Sequence, residues 1–261
     1  MNNPWLFDAK ALKSTPSARD GYSRIEERNV RIDGAKFIKL LGTELGLHYC
    51  TVATGCVFFH RFYMRYSMKQ FPVYPTAATC LFLAGKAEET PKKSNDIVKF
   101  AKLILKEPQF AQFGTDPKEE ILTLERILLQ TLRFDLEVEH SYDYLIKYVK
   151  NLKVHRADLS EDEAHKCLLQ SAWTFANDSC CTTLCLQYEP EIVAIAMLFL
   201  ARKTGHFEIN DWENKKPSIH KDWWDVYVDD LAETTLENIC IELLDVYEAP
   251  TSSQQSTQQS S

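Results

Sequence analysis

Leu81 to Lys86 reads LFLAGK, and 117 residues later Leu198 to Lys203 reads LFLARK. An apolar hexapeptide closed by a lysine and used twice points to one helical unit that occurs twice. Two further landmarks recur in the same order. Phe58 to Pro75 (FFHRFYMRYSMKQFPVYP) and Trp173 to Pro190 (WTFANDSCCTTLCLQYEP) are aromatic segments ending in a tyrosine and a proline, at an offset of 115. Glu125 to Leu129 (ERILL) and Glu237 to Ile241 (ENICI) follow at an offset of 112. A period this long is domain duplication rather than a solenoid repeat. The 261 residues then divide into two domains of about 100 to 120 residues, each large enough for its own core.

With 45% hydrophobic residues and only 8 Gly, the body reads as all-α. In the first unit, helices are predicted near Arg24 to Gly46, Thr51 to Tyr66, Pro75 to Glu89, Asn95 to Lys106 and Pro117 to Leu132. Asp116 before Pro117 supplies an N-cap and a first helical position. The second unit carries helices at Tyr142 to Lys153, Glu161 to Cys181, Glu189 to Lys203, Lys221 to Asp229 and Leu236 to Tyr247, with a long loop from Thr204 to His220. The third helix of each unit is apolar nearly all round, so its neighbours must surround it. Thr251 to Ser261, TSSQQSTQQSS, has no apolar residue and is expected to be a disordered tail.

The longest uncharged apolar run, Ile192 to Ala201, is about half of what crosses a bilayer. No signal-peptide pattern opens the chain, and an intracellular protein that does not engage membranes is expected. The eight cysteines form no CxxC and no His pair has zinc-finger spacing, so reduced core thiols are expected and no metal. Net charge is −7 with both signs interleaved, which disfavours direct nucleic-acid binding and favours a protein partner. Arg61, Arg65 and Lys69 recur every four residues as a basic stripe, either a solvated helix face or a docking surface.

One residue stands in the wrong place. Ile121, Glu125, Leu128 and Leu132 fall on one helix face, so Glu125 interrupts an apolar stripe. Burying an unpaired carboxylate costs several kcal/mol, and it requires an internal or external partner. Lys86 shares a face with Phe82 and Leu83 at the end of a buried helix and raises the same question. Either Lys86 merely caps its helix and Glu125 lies at the rim of its stripe, or the two pair between neighbouring helices, leaving polar valences to grip a passing backbone. Catalytic motifs are missing: no phosphate-binding glycine loop, GxSxG or HExxH occurs, so no catalytic residue and no cofactor are expected.

HRFY at His60 to Tyr63, LFLAGKAEETPKK at Leu81 to Lys93 and LERILLQTLRFDL at Leu124 to Leu136 resemble the cyclin box. The resemblance covers nearly the whole chain and is to the transcriptional cyclins, the K branch before the T branch. It is extended by WTFANDSCCTTLCLQYEPEI at Trp173 to Ile192 and by Trp223 and Trp224. It implies two tandem five-helix cyclin boxes at 24–136 and 137–249, after an N-terminal segment (1–23) and before the tail (250–261). It further implies a nuclear, non-catalytic subunit that activates a cyclin-dependent kinase. Kinases twelve and thirteen are implied first and kinase nine second, with the RNA polymerase II C-terminal domain as substrate of the complex during elongation.

By the same resemblance Lys86 and Glu125 contact backbone near the kinase's regulatory helix. Leu83, Ala87, Leu129, Phe134 and Leu136 form the apolar part of the kinase-binding surface, with Phe59 and His60 as lesser members. Ala87 is smaller than the residue often found there in cell-cycle cyclins, which implies a shallower contact. The Lys86 copy alone is expected to mark the binding site, since Lys203 runs on into Thr204, Gly205 and a loop. Two other classes would use such a fold: a promoter-binding factor of the TFIIB type, which the acidic charge opposes, and a helical adaptor that activates nothing.

Overall fold

The computed structural model describes residues 3–216 and 218–248; the expected Ser/Gln tail lies outside the described residues. The chain is helical throughout most of that length and separates into two compact units. The first runs through Val138 and also takes in Cys180–Gln187, a segment that sequence position alone assigns to the second repeat.

The first unit opens with two short helices, α1 (Ala9–Lys13) and α2 (Pro16–Arg19). Helices α3 (Arg24–Glu44), α4 (Tyr49–Phe62), α5 (Val73–Ala87), α6 (Ser94–Ile104), α7 (Glu107–Phe110) and α8 (Pro117–Thr131) follow. Local sequence sets the boundaries. Ser23 and Glu26 form a reciprocal capping box at the start of α3, and Asp116 accepts from the Glu119 N–H ahead of Pro117, satisfying donors that a helix N-terminus leaves open. Helix α5 is the centre, packed by α3, α4 and α8, and Pro75 through Gly85 are all buried. Small residues permit this crowding. A Cβ on Gly34 of α3 would lie 2.2 Å from the Phe59 ring on α4.

Before α3, the N-terminal segment is fastened down by the basic stripe. Trp5 is buried, its indole N–H donates to Asp135 at 2.8 Å, and the Arg61 guanidinium lies 4.9 Å from its ring centroid. Arg65 lies over the Trp5 and Phe7 rings, and the Lys69 ammonium donates to the Asp20 carbonyl. The three cations therefore do not share one helix face, because α4 stops at Phe62; Arg61 is buried, while Arg65 and Lys69 stay exposed around the contacts they make with the N-terminal segment. Beyond it Phe62, Tyr63, Tyr66 and Phe71 pack edge to face and tilted in a turn.

The second unit contains α9 (Ser141–Asn151), β1 (Leu152–His155), α10 (Glu161–Ser179), α11 (Pro190–Thr204), β2 (Glu208–Trp212) and α12 (Glu233–Glu248). Helix α11 is the counterpart of α5, surrounded by α9, α10 and α12, with Val193 through Ala201 buried without interruption. Two expectations fail here. Leu152–His155, read partly as the end of a helix, pairs antiparallel with Glu208–Trp212, read as loop. Its side chains alternate buried and exposed, and Lys153 bridges to Asp211 at 2.6 Å across the ladder. The helix expected over Lys221 to Asp229 shrinks to one 3₁₀ turn, Trp223–Val226, because both indoles turn into the core.

Candidate docking site

Helix α5 delivers Lys86 on its last turn, where the helix dipole favours a cation, and α8 delivers Glu125 from mid-helix. The Lys86 ammonium donates to Glu125 Oε1 at 2.6 Å and lies 4.3 Å from the Phe82 ring centroid. Glu125 interrupts a stripe of buried Ile121, Leu128 and Leu132, and the lysine answers the carboxylate. The Lys86 side chain is 44% exposed and that of Glu125 12%. One bond joins them, so an ammonium with three donors and a carboxylate with several lone pairs retain capacity on the solvent side. The pair can receive a carbonyl and an N–H of an approaching backbone together.

About two turns beyond Glu125, α8 ends in an unusual way. Arg133 and Phe134 both adopt left-handed backbone, φ 55° and 59°, and the Phe134 N–H closes onto the Leu129 carbonyl at 3.1 Å. Consecutive non-glycine residues in this region are costly. The turn leaves the Phe134 ring 70% exposed. Ala87, Leu129 and Leu136 are half-buried around this corner. An ion pair with spare valences and an exposed phenylalanine near the end of the same helix make this a candidate contact surface.

Three expected members of the surface do not reach it. Leu83, Phe59 and His60 are buried at 2%, 0% and 0% exposure. Leu83 faces inward on α5, and Phe59 fills the space that Gly34 leaves open. The His60 Nε2 bonds to the Cys180 carbonyl at 3.0 Å. Its Nδ1 is buried with no partner among the described residues, which fits a neutral ring donating through Nε2.

Burial, reinforced by the nearby Arg31 charge, pulls the His60 pKa from 6.5 to about 3. The unfolded chain then binds one more proton than the folded chain between these values, so the stability due to neutral His60 is complete above pH 6.5 and lost as pH falls toward 3. Each pH unit in this window changes stability by about 1.4 kcal/mol from this group. Urea midpoints measured from pH 7 to pH 4 should fall less steeply for His60→Gln than for the parent chain.

No disulfide joins any of the eight cysteines. Burial raises the Cys80 pKa well above normal and that of Cys240 to about 12, which holds them as weakly reactive thiols. No group of His, Cys and carboxylate side chains among the described residues is placed to hold a metal. No described helix is long and apolar enough to cross a membrane.

The second copy of the hexapeptide holds what the sequence reading missed. Lys203 reaches Glu237 at 3.3 Å and Glu233 at 3.2 Å, and its ammonium sits 4.3 Å from the Phe199 centroid, as Lys86 does from Phe82. The lysine–glutamate pair is therefore duplicated. The repeated ERILL and ENICI were its signal, since Glu237 stands where Glu125 stands in the first copy.

Residues 7–137 match the family described as cyclin, N-terminal domain, and residues 151–246 match cyclin-T2-like, C-terminal domain. The chain belongs to the cyclin family. Cyclin-K of Homo sapiens is 52% identical over 243 residues, which cover 93% of this chain and 40% of that protein. Cyclin-K of Danio rerio is likewise 52% identical over 93% of this chain and 55% of that protein. Cyclin-T1-3 of Oryza sativa subsp. japonica follows at 34% over 94% of this chain and 48% of that protein. The order of the K and T branches is as the motifs implied, and the chain spans about half the length of these relatives. Among solved structures, a chain of the yeast RNA Pol II CTD kinase CTDK-1 complex superposes with a TM-score of 0.67, at 19% identity over 93% of this chain and 72% of that one. A chain of the yeast TFIIK (Kin28/Ccl1/Tfb3) complex gives 0.61, also at 19% identity, over 93% and 96%. At such identities the likeness is one of fold.

Proposed function

We propose that this chain is the non-catalytic, activating subunit of a nuclear transcriptional cyclin-dependent kinase. Kinases twelve and thirteen are its first partners and kinase nine its second, and the complex phosphorylates the RNA polymerase II C-terminal repeats during elongation. The observation that carries the proposal is the part-exposed Lys86–Glu125 pair, with Phe134 exposed just past the end of the same helix. Membership of the cyclin family and 52% identity to Cyclin-K support it.

In this reading Lys86 and Glu125 hold backbone at the kinase's regulatory helix while Ala87, Leu129, Phe134 and Leu136 cover its apolar side. Leu83, Phe59 and His60 act from beneath by keeping that surface rigid. Fixing the helix brings its glutamate to the ATP-positioning lysine. Because the surface binds only the active arrangement well, it shifts the kinase population; reversing a 1:99 equilibrium takes about 5.5 kcal/mol of differential binding.

The test adds the chain to each purified kinase and follows phosphate transfer to a C-terminal repeat peptide. Kinase twelve or thirteen should gain at least about 100-fold in activity, equal to about 2.7 kcal/mol. No gain with any of the three would favour the inert helical adaptor, and a salt-dependent shift of duplex DNA by the chain alone would favour the TFIIB-like class.

A further inference from the structure

The two units differ sharply in charge. The first carries 20 Lys and Arg against 16 Asp and Glu, and the second 10 against 21. The acidic excess is dense on α12, which has Glu233, Glu237, Glu242, Asp245 and Glu248 and no Lys or Arg. This helix is also apolar on two faces. Leu236, Ile239, Cys240, Leu243 and Val246 point into the unit, as a surface helix requires. On the other side Ile241 is 58% and Leu244 41% exposed.

Glu237, Ile241, Leu244 and Glu248 fall at i, i+4, i+7 and i+11, one continuous outer stripe with a carboxylate at each end. Ile241 occupies the repeat position of Leu129, and Glu237 that of Glu125. The second unit thus reproduces the pattern of the first unit's docking corner, an anchored Lys–Glu pair leading into exposed apolar side chains, but in an acidic field.

We infer that the outer face of α12 is a docking surface for a basic amphipathic helix of another protein. Charge complementarity selects this occupant. A helix with leucine-like residues at i, i+3 or i+4 and i+7 would cover Ile241 and Leu244, and flanking Lys or Arg would meet the carboxylates. A second copy is opposed by its own charge, because a two-fold contact would set this acidic face against itself. The Ser/Gln segment that follows α12 in sequence has neither the cations nor the apolar residues to fill the role.

A fluorescein-labelled leucine–lysine peptide that folds as an amphipathic helix serves as probe against the whole chain, read by anisotropy. The expected result is saturable binding that weakens with salt and falls about tenfold or more in Ile241→Ser/Leu244→Ser, both surface positions, with unchanged thermal stability. Phe134→Ser, in the other unit, should bind the probe like the parent. Equal binding of a scrambled peptide of the same composition, or unchanged binding by the double variant, would overturn the inference. So would sedimentation showing a dimer that the double variant dissolves, since the face would then belong to a second copy. These readouts need no kinase and stand apart from the activation assay.

Discussion

Lys86→Ala combined with Glu125→Ala is expected to weaken kinase capture by roughly two to three orders of magnitude, or about 2.7 to 4 kcal/mol, while barely moving the melting temperature. The contrast follows from burial. The lysine is nearly half exposed, and an ion pair in that setting contributes at most about 1 kcal/mol to folding. In the proposed complex the same two groups would be desolvated and would receive backbone partners, where each charged hydrogen bond is worth about 1.5 to 3 kcal/mol. The single variants should behave differently from each other. Lys86→Ala strands a carboxylate that is 12% exposed and should destabilise the unit more than Glu125→Ala, which frees a lysine already reaching solvent.

Exchanging the charges, Lys86→Glu with Glu125→Lys, separates the two roles. It retains an ion pair for folding but presents donor and acceptor to the partner in reverse. Calorimetric unfolding should stay near that of the parent, and interferometry with immobilised kinase should show binding as weak as in the double alanine variant. Parent-like affinity in either double variant would sink the assignment of this corner as the kinase site.

The corner could be read from sequence for a definite reason. A glutamate within Ile121, Leu128 and Leu132 violates its own periodicity, and a violation can be read without coordinates. Helices α5 and α11 were legible in the same way, since an all-round apolar helix has only one environment. What could not be read was tertiary. His60 opens the HRFY motif that carries the family resemblance and Phe59 precedes it, yet a motif does not say which residues in and around it reach solvent. Arg61, Arg65 and Lys69 have helical spacing, but the helix ends among them at Phe62, and Trp5, more than 50 residues earlier, converts the stripe into a clamp. LKVH alternates with period two for only four residues, too few to outweigh the helix before it. Leu129 and Ile241 were visible as a repeat; that Leu129 is half-buried and Ile241 exposed was not.

Arg31 is the residue whose loss should cost the first unit most. Its guanidinium, 4% exposed, donates to Glu27 Oε1 at 2.8 and 3.0 Å and to the carbonyls of His60 and Tyr63 at 3.3 and 3.2 Å. Those carbonyls lie at the C-terminal end of α4, where the helix leaves acceptors open, so a cation from α3 caps α4. Glu27 in turn accepts from the Thr15 hydroxyl at 2.5 Å, and Thr15 caps α2 through the Ala18 N–H. Three helices thus meet on one buried ion pair. Glu27→Ala leaves a guanidinium buried without its counter-charge, and Arg31→Ala leaves a carboxylate and two carbonyls short of donors; each should cost about 3 to 5 kcal/mol. For a unit of this size that lowers the melting temperature by roughly 10 °C or more. Glu27→Met with Arg31→Met removes both charges at similar volume, and should cost less than the two single losses together, because no stranded charge remains. Urea unfolding of the parent, Glu27→Met, Arg31→Met and the double methionine variant closes the cycle. An interaction energy near zero would mean that the pair does not act as a unit and that α4 is capped in some other way.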